Sequence, residues 1–248
     1  MSLNERMSVK ENERFPALEG GSADDGAQKD VFVWYASYGS NLLEARFNCY
    51  LFGGRVHGMS RDAHGARDST PATESAVLRM PYRVFFAYAR ESFWGFGGAA
   101  MLDLCPDGPH EALIRMYKVT LQQFNDIVAQ ENGLRSPLPV QHRLKCEDLA
   151  TLRRQEPGTV SIQFEEGSTY YPAVAYLGDY NGTPILTFTC LPEDVPGFLN
   201  GELPAAPPAY NYLNVLRKGV QELGEGGIDP IEYWNYFVES QFRQQTLN

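Results

Sequence analysis

The chain has 248 residues, 43% of them hydrophobic and 12% aromatic, with a formal net charge of -10 from 21 Lys and Arg against 31 Asp and Glu. That size and apolar content suit one large domain with a real core and argue against disorder. The acidic balance, with no Lys/Arg cluster, lacks the basic footprint of a nucleic-acid binder and disfavours docking on anionic membranes.

Residues 1–30 are polar and read as a flexible arm, and residues 31–248 as a single domain. The opening MSLNERMSVKENERF has no apolar centre of the kind a signal peptide needs, and no run of 18 apolar residues follows. The cytoplasm is the expected location. Cysteines 49, 105, 146 and 190 form no Cys-x-x-Cys pair and read as free thiols.

The first strong signal is residues 31–41, VFVWYASYGSN. An apolar run here predicts a buried strand at 31–38, and it stops at a Gly-Ser-Asn turn whose backbone N–H groups can converge on one point. A helix is expected from near Asn41, closed by Gly53 and Gly54. Residues 57–79 read as a long loop; His57, Asp62 and His64 within it are a weak metal signal. Strands are expected at 82–89, 98–104, 112–119, 160–164, 169–177 and 184–190, and helices at 121–131, 209–223 and 230–245. The order is not a βαβα alternation. It predicts an α+β fold, a small mixed or antiparallel β-barrel with flanking helices.

The helix at 121–131 carries one residue that does not fit its surroundings. Leu121, Phe124, Ile127, Val128 and Glu131 share one broad face, behind a capping-box start of Thr120 and Gln123. A carboxylate on an otherwise apolar face is costly unless it is paired or used. Burial and the negative end of the helix both raise its pKa toward values suited to proton transfer near neutrality. The alternative is a last turn that emerges into solvent. The glycines at 95, 97 and 98 precede a strand, so they permit close backbone approach rather than form a dinucleotide fingerprint. No nucleophile elbow or Cys–His pairing stands out.

Four segments taken together resemble the gamma-glutamylcyclotransferase-like family. They are YASYGSNLLEARF (35–47), WGFGGAAMLD (94–103), FNDIVAQENG (124–133) and PPAYNYLNVLRKGVQELG (207–224). The resemblance implies a mixed β-barrel with flanking helices. It also implies cyclisation of a gamma-glutamyl amide to 5-oxoproline with release of an amine, and no metal or other cofactor. By the same resemblance Glu131 is the catalytic carboxylate, while Tyr38, Gly39, Ser40, Asn41 and Tyr212 bind substrate. The implied partner is a small gamma-glutamyl molecule, with no nucleic acid or membrane, and a homodimer is left open. The chain departs from the pattern at Asn132, where the family usually has glycine, and along 134–140, so the leaving-group side is expected to differ. The alternative function is a non-catalytic member that keeps the cavity as a binding or interaction module.

Overall fold

The computed structural model describes residues 28–106, 110–134, 136–164, 169–203 and 206–224. The expected helix at 230–245, and nearly all of the expected arm, lie outside the described residues. The strands are β1 (Phe32–Ser37), β2 (Glu74–Met80), β3 (Arg83–Ser92), β4 (Gly95–Asp103), β5 (Ala112–Thr120), β6 (Val160–Ile162), β7 (Ala173–Tyr180) and β8 (Thr183–Thr189). The helices are α1 (Glu44–Phe52), α2 (Leu121–Glu131), α3 (Cys146–Leu152), α4 (Val195–Asn200) and α5 (Tyr210–Leu223), with short 3-10 turns at Ser40–Leu42, Val140–His142 and Pro192–Asp194.

Six strands form one mixed sheet in the order β2-β5-β1-β8-β7-β6, and β3 and β4 pair separately. β1 lies well inside the sheet, antiparallel to β5 with Tyr35 opposite Tyr117, and parallel to β8 with Trp34 opposite Ile185. Its last five residues are all buried, and covering on both faces is why it reads as a continuous apolar run rather than an alternation. β2 is an edge strand and alternates instead.

No closed barrel forms among the described residues, which corrects the expected architecture. Where β4 meets β8, a side chain takes the place of a ladder: Thr189 Oγ1 accepts from Leu102 N and donates to Leu102 O, both at 2.9 Å. Two bonds through one hydroxyl join the β3–β4 ribbon to the sheet without continuing it.

The loop expected at 57–79 ends earlier, because its last residues are β2, paired along β5. The rest is a strap over α2. Asp126 is fully buried and holds Arg67, Gln130 Oε1 accepts from Gly65 N at 3.2 Å, and Gln123 Nε2 donates to the carbonyls of Asp68 and Thr70. The polar side of α2 therefore faces protein, not water, and α2 is buried nearly all round. Its start is the capping box expected from Thr120 and Gln123. α3, α4 and the turn at Val140–His142 were not foreseen; each is too short to show a helical period. The helix expected near Asn41 begins as a 3-10 turn and becomes α-helical only at Glu44.

Candidate functional site

A cavity of about 460 Å³ opens where the 39–41 turn, the end of α2, the β3–β4 ribbon and the start of α5 converge. That is within the range of small-molecule sites. Tyr38, Gly39, Ser40, Asn41, Glu131 and Tyr212, which come from three distant parts of the chain, all line it.

The turn is held in place from behind. α5 lies directly on it: a Cβ added to Gly219 would stand 2.7 Å from Leu43 N and 2.8 Å from the Leu42 carbonyl carbon. Arg115 donates to the Leu42 carbonyl at 3.0 Å and is paired with Glu44 and Glu222. Tyr117 Oη donates to the Asn41 carbonyl at 2.8 Å. As at any helix start, the first N–H groups of the turn have no acceptor within it. Tyr212 approaches Gly39 so closely that a Cβ there would meet its hydroxyl at 2.8 Å. Burial raises the Tyr212 pKa most, and the Glu131 charge adds to it; the backbone groups of Ser40 and Ala100 work the other way.

Glu131 faces this turn. Asn41 Nδ2 donates to its Oε1 at 2.9 Å and to Tyr35 Oη at 2.8 Å. The other amide atom, Asn41 Oδ1, is buried with no hydrogen-bond partner among the described residues. Burial pushes the Glu131 carboxyl above the ordinary glutamate range, opposed by the Arg46 charge and by hydrogen bonds from Tyr50 and Asn41. Arg46 in turn donates to Tyr50 Oη. An arginine, a phenol and a carboxylate thus form a chain whose far end is in the cavity.

Tyr38 is buried in the wall and donates to the Phe188 carbonyl at 2.7 Å. Asn132 makes a two-point clamp across to Tyr171: its Nδ2 donates to Tyr171 O at 3.2 Å and its Oδ1 accepts from Tyr171 N at 2.9 Å. The residue that departs from the family pattern therefore fixes a second tyrosine of the lining. The glycine-rich stretch of β4 is approached by the protein's own backbone, with Gly98 N donating to Pro207 O at 2.9 Å.

Arg46, Tyr35, Tyr50 and Tyr171 also belong to the polar lining and were not singled out from the sequence. Arg46 and Tyr50 carried a usable signal: they are four apart on α1, so they share a face just after the turn. Tyr171 carried none. Asp62 is paired with Arg55 at 3.3 Å. Among the described residues no three His, Cys, Asp or Glu side chains gather closely enough to hold a metal. Among the same residues no helix is long and apolar enough to cross a membrane.

No protein-family model matches the chain. It is 38% identical over 196 residues to histone deacetylase 5 of Arabidopsis thaliana, an alignment that takes in 78% of this chain and 29% of that protein. The chain thus spans under a third of the curated relative it matches. Among solved structures it is similar in fold to a gamma-glutamyl cyclotransferase, with 15% identity, a TM-score of 0.44, and 83% of this chain and 86% of that one covered. A similar likeness, with 15% identity, a TM-score of 0.42 and 84% and 87% covered, is to an uncharacterized protein from Homo sapiens. Both scores are below 0.5, so the weight of any functional reading falls on the residues of the cavity.

Proposed function

We propose that this chain is an enzyme that cyclises a gamma-glutamyl amide, releasing 5-oxoproline and an amine, with Glu131 as its proton-transfer group. The observation that carries the reading is the Glu131 carboxylate in a ligand-sized cavity, 2.9 Å from the Asn41 amide of the Gly-Ser-Asn turn. The motif resemblance supports it independently.

The reaction asks little of a protein beyond placement and one proton carrier. The substrate's α-nitrogen attacks its own γ-carbonyl carbon, a C–N bond forms, and the five-membered ring closes. The original amide C–N bond then breaks. Glu131 takes a proton from the α-ammonium and returns one to the departing amine, so no water is consumed. A carboxyl raised toward neutrality can do both transfers, because neither direction is strongly uphill. Asn41 Oδ1, buried and without a partner among the described residues, suits a donor from the α-ammonium. The N–H groups at the start of the turn suit the carbonyl oxygen as it gains charge. Folding the substrate back on itself supplies much of the rate, since ring closure is a matter of orientation.

The test is release of 5-oxoproline from a panel of gamma-glutamyl compounds, with the alpha-glutamyl isomers as controls. Turnover of gamma but not alpha isomers is expected. Comparable turnover of both would sink the cyclisation reading, because the alpha isomers cannot close that ring through the scissile amide. A protein that binds gamma-glutamyl compounds without turning them over would instead be the non-catalytic module.

A further inference from the structure

One stretch of the cavity wall is held by a side chain where a sheet would otherwise hold it. Tyr171 lines the cavity but lies outside the β6–β7 ladder, which stops where Ala173 faces Ile162. Among the described residues, its backbone N–H and C=O bond only to the Asn132 amide, at 2.9 and 3.2 Å. A primary amide offers the acceptor and the donor that one residue of a neighbouring strand would offer. Asn132 directly follows Glu131, is 8% exposed, and closes α2 by donating from its own N–H to Val128 O at 3.1 Å. The wall is therefore tied to the last turn of the helix that carries Glu131.

The contacts run on from Tyr171 and return to that helix. The Tyr171 ring lies 5.0 Å from that of Phe188, and Phe188 stacks on Tyr35 at 5.4 Å with 15° between the planes. Tyr35 Oη accepts from Asn41 Nδ2, which also donates to Glu131. Asn132, Tyr171, Phe188, Tyr35, Asn41 and Glu131 thus form a closed ring of contacts, and all six line the cavity. Its two ends are consecutive residues, so the ring closes on the rigid end of one helix.

We propose that Asn132 is a positioning residue, whose clamp on Tyr171 closes this ring and holds the cavity in its binding shape before a ligand arrives. The proposal rests on the cyclisation reading for the ligand and goes beyond it in giving Asn132 a role in binding. A wall that is already formed spares the ligand the cost of ordering it. That saving is the same in the ground state and the transition state, so it appears in KM and not in kcat.

The test is steady-state kinetics of Asn132→Ala on a gamma-glutamyl amide that the parent protein turns over. KM should rise about 10-fold, the scale of the two lost hydrogen bonds, with kcat within about 2-fold of the parent. A merely structural role would instead lower kcat through loss of folded protein and leave KM unchanged. That result, or no change at all, overturns the proposal. Tyr171→Ala should raise KM at least as much, and the N132A/Y171A double variant no further than Y171A alone, because the clamp then has nothing to hold. Unchanged KM in Y171A, or additive effects in the double variant, overturns it as well, and Y171A carries the test if N132A does not fold. If no gamma-glutamyl compound yields 5-oxoproline, the cyclisation reading fails, and the clamp is judged without substrate. Amide exchange and nitration at Tyr171 are then read by mass spectrometry; burial, Tyr212 and Glu131 all raise the Tyr171 pKa, which keeps a held ring slow to nitrate. Slow exchange and slow nitration in the parent, both faster by about 10-fold or more in N132A, support the clamp. Fast exchange or nitration in the parent, or no acceleration in N132A, overturns it.

Discussion

Two buried arginines flank the segment that carries the 39–41 turn, and they are treated in opposite ways. Arg115, from β5, has Glu44 and Glu222 as counterions, the Leu42 carbonyl as acceptor, and the Tyr117 ring 5.2 Å away. Arg46, from α1, is 1% exposed and, among the described residues, has no carboxylate in ion-pair contact and no hydrogen-bond partner for its Nε and Nη1. It is held among the rings of Tyr50 at 3.9 Å, Phe93 at 5.1 Å and Trp94 at 5.6 Å. A buried cation without counterion is costly, and cation–π contacts offset only part of that. The structure thus closes the electrostatics on the Arg115 side. It leaves them open on the Arg46 side, where the charge acts on Glu131 across the cavity wall. Completed pairing marks support for the turn; incomplete pairing marks the cavity.

The sharpest way to break this contrast is at its end point. Glu131→Gln keeps the shape of the side chain and removes its proton chemistry. Turnover of a gamma-glutamyl substrate should fall by roughly 10²-fold or more, with circular dichroism unchanged. Near-parental turnover would remove Glu131 from the mechanism.

Arg115→Met tests the supporting side. It strands the Leu42 carbonyl and separates β5 from α5, but Glu44 and Glu222 are exposed enough to be rehydrated, so their stranding adds little. A loss of about 2 kcal/mol is expected, read from denaturant unfolding. The acid limb of the pH–rate profile should not move. A displaced limb with unchanged stability would reverse the assignment of the two arginines.

Arg46→Met should do the converse. The Arg46 charge lowers the Glu131 pKa against burial, so its removal moves the acid limb to higher pH. Turnover near neutrality should drop by about 10-fold, the scale of one charge-assisted hydrogen bond. Replacement of a poorly paired buried cation by an apolar side chain should leave stability nearly unchanged or improved. A large loss of stability with an unmoved profile would make Arg46 a structural residue after all.

The smallest effect is in the pH dependence of stability. The folded-state pKa of Glu131 is raised, so the group contributes stability below the ordinary glutamate pKa, about 4.3, and that contribution is lost as pH rises through the raised value. Glu131→Gln should therefore melt above the parent at neutral pH, and the gap should close as the pH falls toward the ordinary glutamate range. A gap that widens on acidification would contradict the direction of the shift.

The strongest parts of the sequence reading rest on short-range physics. A capping box is satisfied within four residues, so α2 starts at Leu121 as Thr120 and Gln123 indicate. A strand covered on both faces needs an unbroken apolar run, so β1 was legible in FVWYAS. Glu131 was conspicuous because it alone breaks an apolar face. What was not legible depends on partners far along the chain. β2 looked like loop because, as an edge strand exposed on one side, it shows little apolar content beyond Ala76, Val77, Leu78 and Met80. The barrel was expected because strands in series suggest closure, yet Thr189 intercepts β4 through its hydroxyl.

By itself, the sequence determined where α2 starts and which carboxylate is out of place, since capping and periodicity are settled within a turn or two of chain. Only the tertiary structure decided what surrounds that carboxylate. It brings Asn41 to Glu131 across ninety residues, clamps Tyr171 to Asn132 across thirty-nine, and leaves Arg46 Nε and Nη1 buried without a hydrogen-bond partner among the described residues. Desolvation and charge depend on distance in space, and no spacing along the chain encodes them.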